Sequence, residues 1–142
     1  IRDAPVRAIE PSTLYRILAL RIDVFVVEQA CVYRELDGRD LEPSARLVWA
    51  EQDGTVLATL RLLVEADGTA RIGRVATAVS ARGQGLAARL MARTLELCTG
   101  REIVLHAQAH LASWYARFGF QRHGADFVED GIAHTPMRRP AS

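Results

Sequence analysis

The sequence predicts an α/β protein with one mixed, mostly antiparallel sheet of six or seven strands and helices on both faces. Two turns containing Asp-Gly divide residues 46–77 into three apolar runs, the pattern of antiparallel strands joined by hairpins. A glycine-rich turn then leads into an amphipathic helix that begins at Leu86, and another apolar run follows at 103–107. Because this helix connects two strands of one sheet, the strands on either side of it should run parallel.

The composition is that of one globular domain. The chain has 142 residues, of which 49% are apolar and 25% charged, and we expect a single domain spanning residues 1–142. A net charge of +1 with interspersed signs argues against a broad nucleic-acid surface. No apolar run reaches the roughly 20 residues of a membrane span, and the N-terminus lacks a signal-peptide pattern. We expect a cytoplasmic protein without nucleic-acid or membrane partners. The sequence leaves open whether the protein forms a homodimer.

The N-terminal third should contain a strand, a helix and a long loop. Residues 6–9 are interpreted as the first strand. Ser12 or Thr13 can cap a strongly apolar helix that runs on to Phe25. The polar segment 34–44 contains Asp-Gly and Glu-Pro pairs, which predict a loop, and long loops in compact domains are often functional.

The remaining elements follow from turn residues and apolar spacing. Asp53-Gly54 joins predicted strands at 46–51 and 56–64, and a second turn at 66–68 precedes the strand 71–77. After the crossover helix, which should end near Gly100, the segments assigned in order are a strand at 103–107, a helix at 110–118, and strands at 120–123 and 133–138. An acidic loop at 129–131 lies between the last two strands.

The segment RGQGLA at residues 82–87 is typical of an anion-binding turn. The first N–H groups of a helix have no intrahelical partner, and the helix dipole adds partial positive charge there. Gly83 and Gly85 lack the Cβ atoms that would hold a diphosphate away from the backbone. The segment lacks the Gly-Lys-Ser/Thr ending of a P-loop and the three-glycine dinucleotide pattern.

The same segment, read as Arg-x-x-Gly-x-Ala, resembles the acetyl-CoA diphosphate loop of the GCN5-related N-acetyltransferase family. A second segment, WYARFGF at 114–120, resembles the Tyr-x-x-x-Gly-Phe segment of that family. Further segments are similar to its ElaA-type branch, namely LR at 20–21, VFVVEQ at 24–29, DGRD at 37–40 and EDGIAHTPM at 129–137. The resemblance covers nearly the whole chain.

This resemblance implies a fold, a donor and a set of site residues. It implies a sheet with a V-shaped splay, in which an acceptor amine directly attacks the thioester of acetyl-CoA, with no metal. Tyr115 would protonate the departing thiolate. The strand before the diphosphate loop would supply an oxyanion donor and hydrogen bonds to the pantetheine arm. The implied cofactor-binding residues are Val75, Ala76, Thr77, Arg82, Gly83, Gln84, Gly85, Leu86 and Ala87. The acceptor amine, on a small molecule or a protein, is not identified.

The base that accepts the amine proton departs from the family pattern. Relatives often carry a glutamate on the strand before the loop, where this sequence has Arg71, Gly73 and Arg74. Glu28 is the strongest candidate because it follows two valines, with a structural role or recognition of a cationic acceptor as its alternatives. The other candidates are Glu129, Asp130, His106 and His134, for which a solvated charge or a core histidine is the competing interpretation.

The positions of the cysteines and histidines predict no metal site. The 4 histidines lack paired carboxylate spacing, so no metal ligation is predicted. Cys31 and Cys98 are interpreted as reduced thiols, Cys98 as a packing residue and Cys31 as a possible neighbour of the acceptor site.

Two other functions fit parts of the same pattern. One is a non-catalytic CoA-binding sensor or interaction module that keeps the diphosphate loop. The other is an enzyme like the acyl-homoserine-lactone synthases, because the Val24-Phe25 region resembles that related fold. The 82–87 loop argues against the second of these.

Overall fold

The computed structural model describes residues 1–30 and 34–142, and all eight strands of this part belong to one sheet. The strands are β1 Arg2–Pro5, β2 Arg46–Gln52, β3 Thr55–Val64, β4 Ala70–Thr77, β5 Ile103–Gln108, β6 Gln121–Arg122, β7 Phe127–Glu129 and β8 Ile132–Arg139. The helices are α1 Pro11–Ile22, α2 Leu86–Leu97 and α3 Ala112–Ala116. The strand order is β1-β2-β3-β4-β5-β8-β6, with β7 also paired to β8. The predicted α/β fold with a mostly antiparallel mixed sheet is confirmed, with one strand more than the upper expectation.

The N-terminal strand lies earlier than predicted. Arg2–Pro5 pairs with β2, whereas Val6–Ala8 forms a turn of 3-10 helix. The apolar side chains of Val6 and Ile9, which suggested a strand, are buried in the core next to α1 instead. The prediction of a strand at 6–9 was therefore wrong, because burial alone does not distinguish a strand from a tight turn.

Helix α1 begins with a cap that the sequence analysis assigned to the wrong residue. The Glu10 carboxylate accepts hydrogen bonds from the backbone N–H groups of Ser12 and Thr13. Pro11, the first helical residue, has no N–H to satisfy, so Glu10 takes the capping position that Ser12 or Thr13 was expected to fill. After Ile22 the helix continues as a π-helix over Asp23–Glu28, three residues beyond the predicted end.

The central strands are joined by turns whose residue types match the turn conformations. Asp53 and Gly54 both have left-handed backbone, with φ of 52° and 77°, as a tight hairpin between β2 and β3 requires. Strands β2, β3 and β4 are antiparallel in series, and β4 and β5 are parallel. Both predictions are confirmed.

The C-terminal part contains a strand that the sequence analysis missed. Phe127–Glu129 forms β7, which pairs with β8 through a turn at Asp130 and Gly131, with φ of 52° and 76°. The predicted strand at 120–123 is shorter, at Gln121–Arg122, and the predicted helix at 110–118 is divided into a 3-10 turn, Ala109–Leu111, and α3.

Two apolar cores lie on opposite faces of the sheet. One core packs α2 and α3 against the sheet and contains Leu90, Met91, Leu105 and Tyr115. The other packs α1 against β2, β3 and β4, and among the described residues none of its buried members belongs to β5, β6, β7 or β8. Helix α1 therefore covers only one half of its face. In residues 1–30 and 34–142, no helix has the length and apolar character needed to cross a membrane.

Candidate functional site

The sheet splits between its two parallel strands. Pairing of β4 with β5 begins at Ala70 and Ile103 and extends only to Ile72 and Leu105. Beyond this point β4 bulges, because Arg74 and Val75 together oppose the single residue Leu60 of β3. Arg74 has left-handed backbone with φ of 53°, and such a bulge bends its strand. A wedge therefore opens between residues 73–77 of β4 and 106–108 of β5.

The register of β4 decides which backbone groups face the wedge. The N–H of Ala78 donates to the carbonyl of Leu57 on β3, at 2.8 Å. Along an antiparallel strand, successive residues direct their backbone N–H and C=O groups to opposite sides. The backbone groups of Ala76, two residues before Ala78, therefore also point towards β3. Three residues of β4 were predicted to contact the pantetheine arm. Two of them, Val75 and Thr77, turn their backbone N–H and C=O groups towards the wedge. The side chain of Ala76 lies in the core next to α1.

The start of α2 is an open anion-binding turn. Gly83 and Gly85 have φ of 79° and 75°, and a Cβ built at either position meets nothing within 4 Å. Helix α2 begins at Leu86, directly after Gly85, with no side-chain cap and no acidic residue in its first turn. Within residues 1–30 and 34–142 no side chain caps these N–H groups, so they and the helix dipole are available to an anion. Gln84, Leu86 and Ala87 lie in this segment, as predicted.

Arg82 joins the anion-binding turn to the end of the π-helix. Its guanidinium binds both carboxylate oxygens of Glu28, each at 2.6 Å, and its Nε donates to the carbonyl of Thr77 at 3.2 Å. The hydrogen bond from Arg82 lowers the pKa of Glu28. The structure thus brings together Glu28, Arg82 and Thr77 at the open end of the wedge. In this arrangement Glu28 accepts a proton less readily than a free glutamate.

Tyr115 lies on the other side of the wedge, in the core between the sheet and α2. Its ring makes edge contacts with Trp114 and Phe120, at centroid distances of 4.9 and 6.3 Å. Burial raises the pKa of Tyr115 to about 12. The phenol therefore stays protonated at neutral pH and can donate.

A small aromatic cluster lies on the opposite face of β5. His106 contacts the edge of Phe127 at 4.9 Å, and Phe127 stacks on His134 at 5.7 Å. His134 is fixed by a 2.8 Å contact of its Nδ1 with the carbonyl of Ile132. Sequence reasoning considered both histidines but missed Phe127, whose alternation with Glu129 before an Asp-Gly turn was the available signal. Glu129 itself is exposed at the end of β7.

Asp130 and Cys98 complete the sequence-predicted residues within the described part. Asp130 is exposed in the turn between β7 and β8. Cys98 is buried in the core beside α2, in agreement with a packing role, and burial raises its pKa. Cys31 lies outside the described residues.

A network of alternating charges, in which four of the six residues are buried, supports the bulge. It consists of Arg21, Glu35, Asp37, Asp40, Arg61 and Arg74, three cations and three carboxylates. Arg21 has no exposed surface and binds Glu35 and Asp40, each at 2.7 Å. Arg74 reaches Glu35 at 2.9 Å and Asp37 at 3.2 Å. The network ties the loop that follows the π-helix to the bulge residue of β4, and sequence reasoning did not find it.

Hydrogen bonds and charges in this network lower one carboxyl pKa strongly. Burial acts to raise the pKa of Asp37, but hydrogen bonds from Arg61 and the N–H of Arg39, with the charges of Arg61 and Arg74, bring it to about 2. Asp37 is therefore ionised throughout the neutral range.

A split sheet with an open helix start beside the split defines an acyl-CoA N-acyltransferase fold. The model of the acetyltransferase (GNAT) domain matches residues 19–140. The sequence is 48% identical over 138 residues to the UPF0039 protein Rv2851c of Mycobacterium tuberculosis, covering 94% of this chain and 88% of that protein. It is 40% identical over 134 residues to protein ElaA of Escherichia coli, covering 90% and 88% of the two chains. The chain belongs to the GNAT acetyltransferase family, in its ElaA-like branch.

Solved structures agree with this assignment. An acyl-CoA N-acyltransferase from Pseudomonas aeruginosa superposes with a TM-score of 0.93 at 42% identity, covering 97% of both chains. Two more distant structures share the fold alone. They are an aminoglycoside 6'-N-acetyltransferase complexed with coenzyme A, at 11% identity and TM-score 0.75, and the CoA-dependent acyl-homoserine lactone synthase BjaI, at 16% and 0.78. The family and fold support acyl transfer.

Proposed function

We propose that this protein is a single-domain, acetyl-CoA-dependent N-acetyltransferase that transfers the acetyl group to an amine by direct attack. The observation that carries the proposal is the uncapped start of α2, preceded by two left-handed glycines and adjacent to the split between β4 and β5. The acceptor is an amine of a small molecule or of a protein.

Acetyl-CoA would lie in the wedge with its diphosphate at the open end and its thioester inside. The diphosphate would lie on the first N–H groups of α2, with residues 82–87 around it. Arg82 contacts Thr77, so this diphosphate site adjoins the open end of the wedge. From there the pantetheine arm would run inward along β4 and bond to the backbone of Thr77 and Val75, like an added strand. The thioester would then lie near the vertex, where β4 and β5 begin to separate.

Two groups of this chain would serve the thioester. The N–H of Val75, turned towards the wedge by the bulge, is the proposed donor to the oxyanion. One such donor contributes about 3 kcal/mol in a serine protease. Tyr115 is the proposed donor to the departing sulfur. Because its phenol is a weak acid, a hydrogen bond that stabilises the thiolate is its main contribution, with the proton following as the thiolate gains charge.

The sequence prediction assigned proton acceptance to Glu28. Its two-point ion pair with Arg82 must open before the carboxylate can receive a proton. An amine that carries its own positive charge could compete with Arg82 for this carboxylate, which is the recognition role considered beside catalysis.

The test combines binding and turnover. Calorimetry with acetyl-CoA and CoA should detect saturable binding, and thiol release should follow when a panel of primary amines is added. Tyr115→Phe should lower kcat by about tenfold or more and leave the CoA affinity within about twofold. Equal losses of binding and turnover in Tyr115→Phe would indicate a packing role.

Other outcomes distinguish the competing functions. Tight CoA binding without thiol release from any amine would favour a sensor or interaction module. Use of acyl carrier protein instead of acetyl-CoA would favour a synthase of the acyl-homoserine-lactone type.

A further inference from the structure

We propose that His106 accepts the proton of the attacking amine, from the face of the sheet opposite Tyr115. This inference rests on the proposed acetyl transfer and assigns the base that the transfer needs.

The position of His106 follows from the strand register. The last paired residues of the parallel strands are Ile72 and Leu105, so His106 is the first residue of β5 beyond the vertex of the wedge. Its neighbours Leu105 and Ala107 are buried in the core with Tyr115. Side chains alternate along a strand, and the His106 side chain therefore projects from the other face. A thioester at the vertex would have Tyr115 on one side of the sheet and His106 on the other.

His106 lies on a part of the sheet that the core beneath α1 does not reach. The core beneath α1 ends at β4, and among the described residues it contains no buried member from the strands beyond β4. His106 is exposed, while Phe127 fixes its ring through the edge contact at 4.9 Å. Phe127 in turn stacks on His134, whose Nδ1 contacts a backbone carbonyl. The imidazole is thus both oriented and accessible, which a base for a diffusing substrate requires.

The surroundings of His106 keep the imidazole neutral. Partial burial is the largest cause that lowers the pKa of His106. The charges of Arg71 on β4 and His134 on β8 lower the pKa further, and the charge of Glu129 on β7 raises it. A neutral ring has a lone pair for the proton at pH 7. The carboxylate alternative is less favourable, because Arg82 binds Glu28 at two points and lowers its pKa.

The proton balance of the step is complete with these two side chains. The amine nitrogen forms a bond to the carbonyl carbon, and the C–S bond then breaks with its electron pair on sulfur. One N–H proton passes to a ring nitrogen of His106, which becomes an imidazolium. Sulfur takes a proton from the Tyr115 hydroxyl. The imidazolium releases its proton to solvent, from which the phenolate is reprotonated, so the products are an amide and the CoA thiol.

The experiment measures thiol release from acetyl-CoA with ethylamine and with the weakly basic trifluoroethylamine, between about pH 5 and pH 8. With kcat/KM calculated on the concentration of neutral amine at each pH, which removes the ionisation of the amine itself, the wild-type value should fall on the acid side with an apparent pKa below about 6.5, the ordinary histidine value. His106→Gln should abolish this dependence and lower turnover with ethylamine about 100-fold. The loss should be smaller with trifluoroethylamine, because a weakly basic amine loses its proton to water more easily. Added imidazole should restore part of the activity of His106→Ala.

Matched controls separate this role from packing and from the proposed function itself. His123→Gln, on an exposed histidine after β6, should behave like wild type, and His106→Gln should bind CoA within about twofold of wild type by calorimetry. Loss of the acid dependence in Glu28→Gln rather than in His106→Gln would overturn the inference while acetyl transfer stands. No thiol release from the wild-type protein with these two amines or with any member of the primary-amine panel would overturn both.

Discussion

At the scale of single residues, the two glycines before α2 serve two purposes. They allow left-handed backbone, and they leave room for the diphosphate. Gly85 has φ of 75° and an open position for a Cβ, and Gly54 in the β2–β3 hairpin has φ of 77° and the same open position. Alanine at either site should destabilise the fold by about 1 kcal/mol, since left-handed backbone disfavours a Cβ. Only Gly85→Ala should also weaken CoA binding, by about tenfold, because its methyl group would occupy space next to the diphosphate.

Chemical denaturation and calorimetry on the same two variants check this prediction. Gly54→Ala is the control, because it introduces the same backbone strain away from α2. If both variants bind CoA equally well, the start of α2 is not the diphosphate site.

Local patterns identified some residues of the site and could not identify others. A Gly-x-Gly pair before an amphipathic helix is readable because the anion-binding turn lies within a few consecutive residues. The ion pair of Glu28 with Arg82 joins side chains 54 positions apart, and no local spacing predicts it. The sequence therefore left a structural role of Glu28 open beside the base role and did not identify Arg82 as its partner.

At the scale of elements, the charge network should contribute strongly to the stability of the loop and of α1. Arg21→Met leaves the buried carboxylates of Glu35 and Asp40 without their nearest cation, and should lower the free energy of unfolding by about 3 kcal/mol. Urea titration measures the difference. The control is Arg138→Met, which removes a half-exposed ion pair with Glu102 at 2.8 Å and should cost less than about 1 kcal/mol. Equal effects of the two changes would argue against a stabilising network.

The same network predicts how stability depends on acid. The pKa of Asp37 is about 2 in the folded protein and about 3.9 in an unfolded chain, so its stabilising contribution is complete above about pH 4. It is lost as the pH falls towards 2, because the unfolded chain then binds a proton that the folded carboxylate resists. Asp37→Asn should flatten this part of the stability profile in urea titrations, whereas Asp53→Asn in the exposed hairpin turn should not. A wild-type slope in Asp37→Asn would contradict the assignment.

Elements whose signals are local were predictable, and those fixed by partners were not. The Asp-Gly turn at 53–54 identified the central hairpin, because left-handed backbone at both positions needs those residue types. Strand β7 was missed, since three residues carry too little periodicity and its acidic surroundings indicated a loop. Two of the three arginines of the network, Arg21 and Arg61, lie in apolar segments of α1 and β3, where a charged residue indicates a buried partner but does not identify it.

At the scale of the whole molecule, the pairing directions of the four central strands, β2 to β5, followed from connection rules, whereas the positions of β6, β7 and β8 did not. Short turns predict antiparallel neighbours, and the crossover helix α2 between β4 and β5 predicts the parallel pair that is observed. A helix alone does not decide the direction, because α1 lies between β1 and β2, which are antiparallel. The split between those parallel strands came only from the family resemblance, because the bulge at Arg74 depends on register with β3 and on the charge network beneath it. The half-covered face likewise depends on where α1 ends relative to the sheet.

The split also passes through the sheet, and this has a consequence for kinetic order. If the thioester occupies the wedge between β4 and β5, CoA approaches over the end near α2, and the amine arrives on the other face, over the half that α1 does not cover. Neither substrate then blocks the other, so both should be held at once in a ternary complex. Initial rates with acetyl-CoA and an amine varied together should give intersecting double-reciprocal lines. Parallel lines, the mark of an acetylated enzyme intermediate, would mean that the wedge admits only one partner at a time.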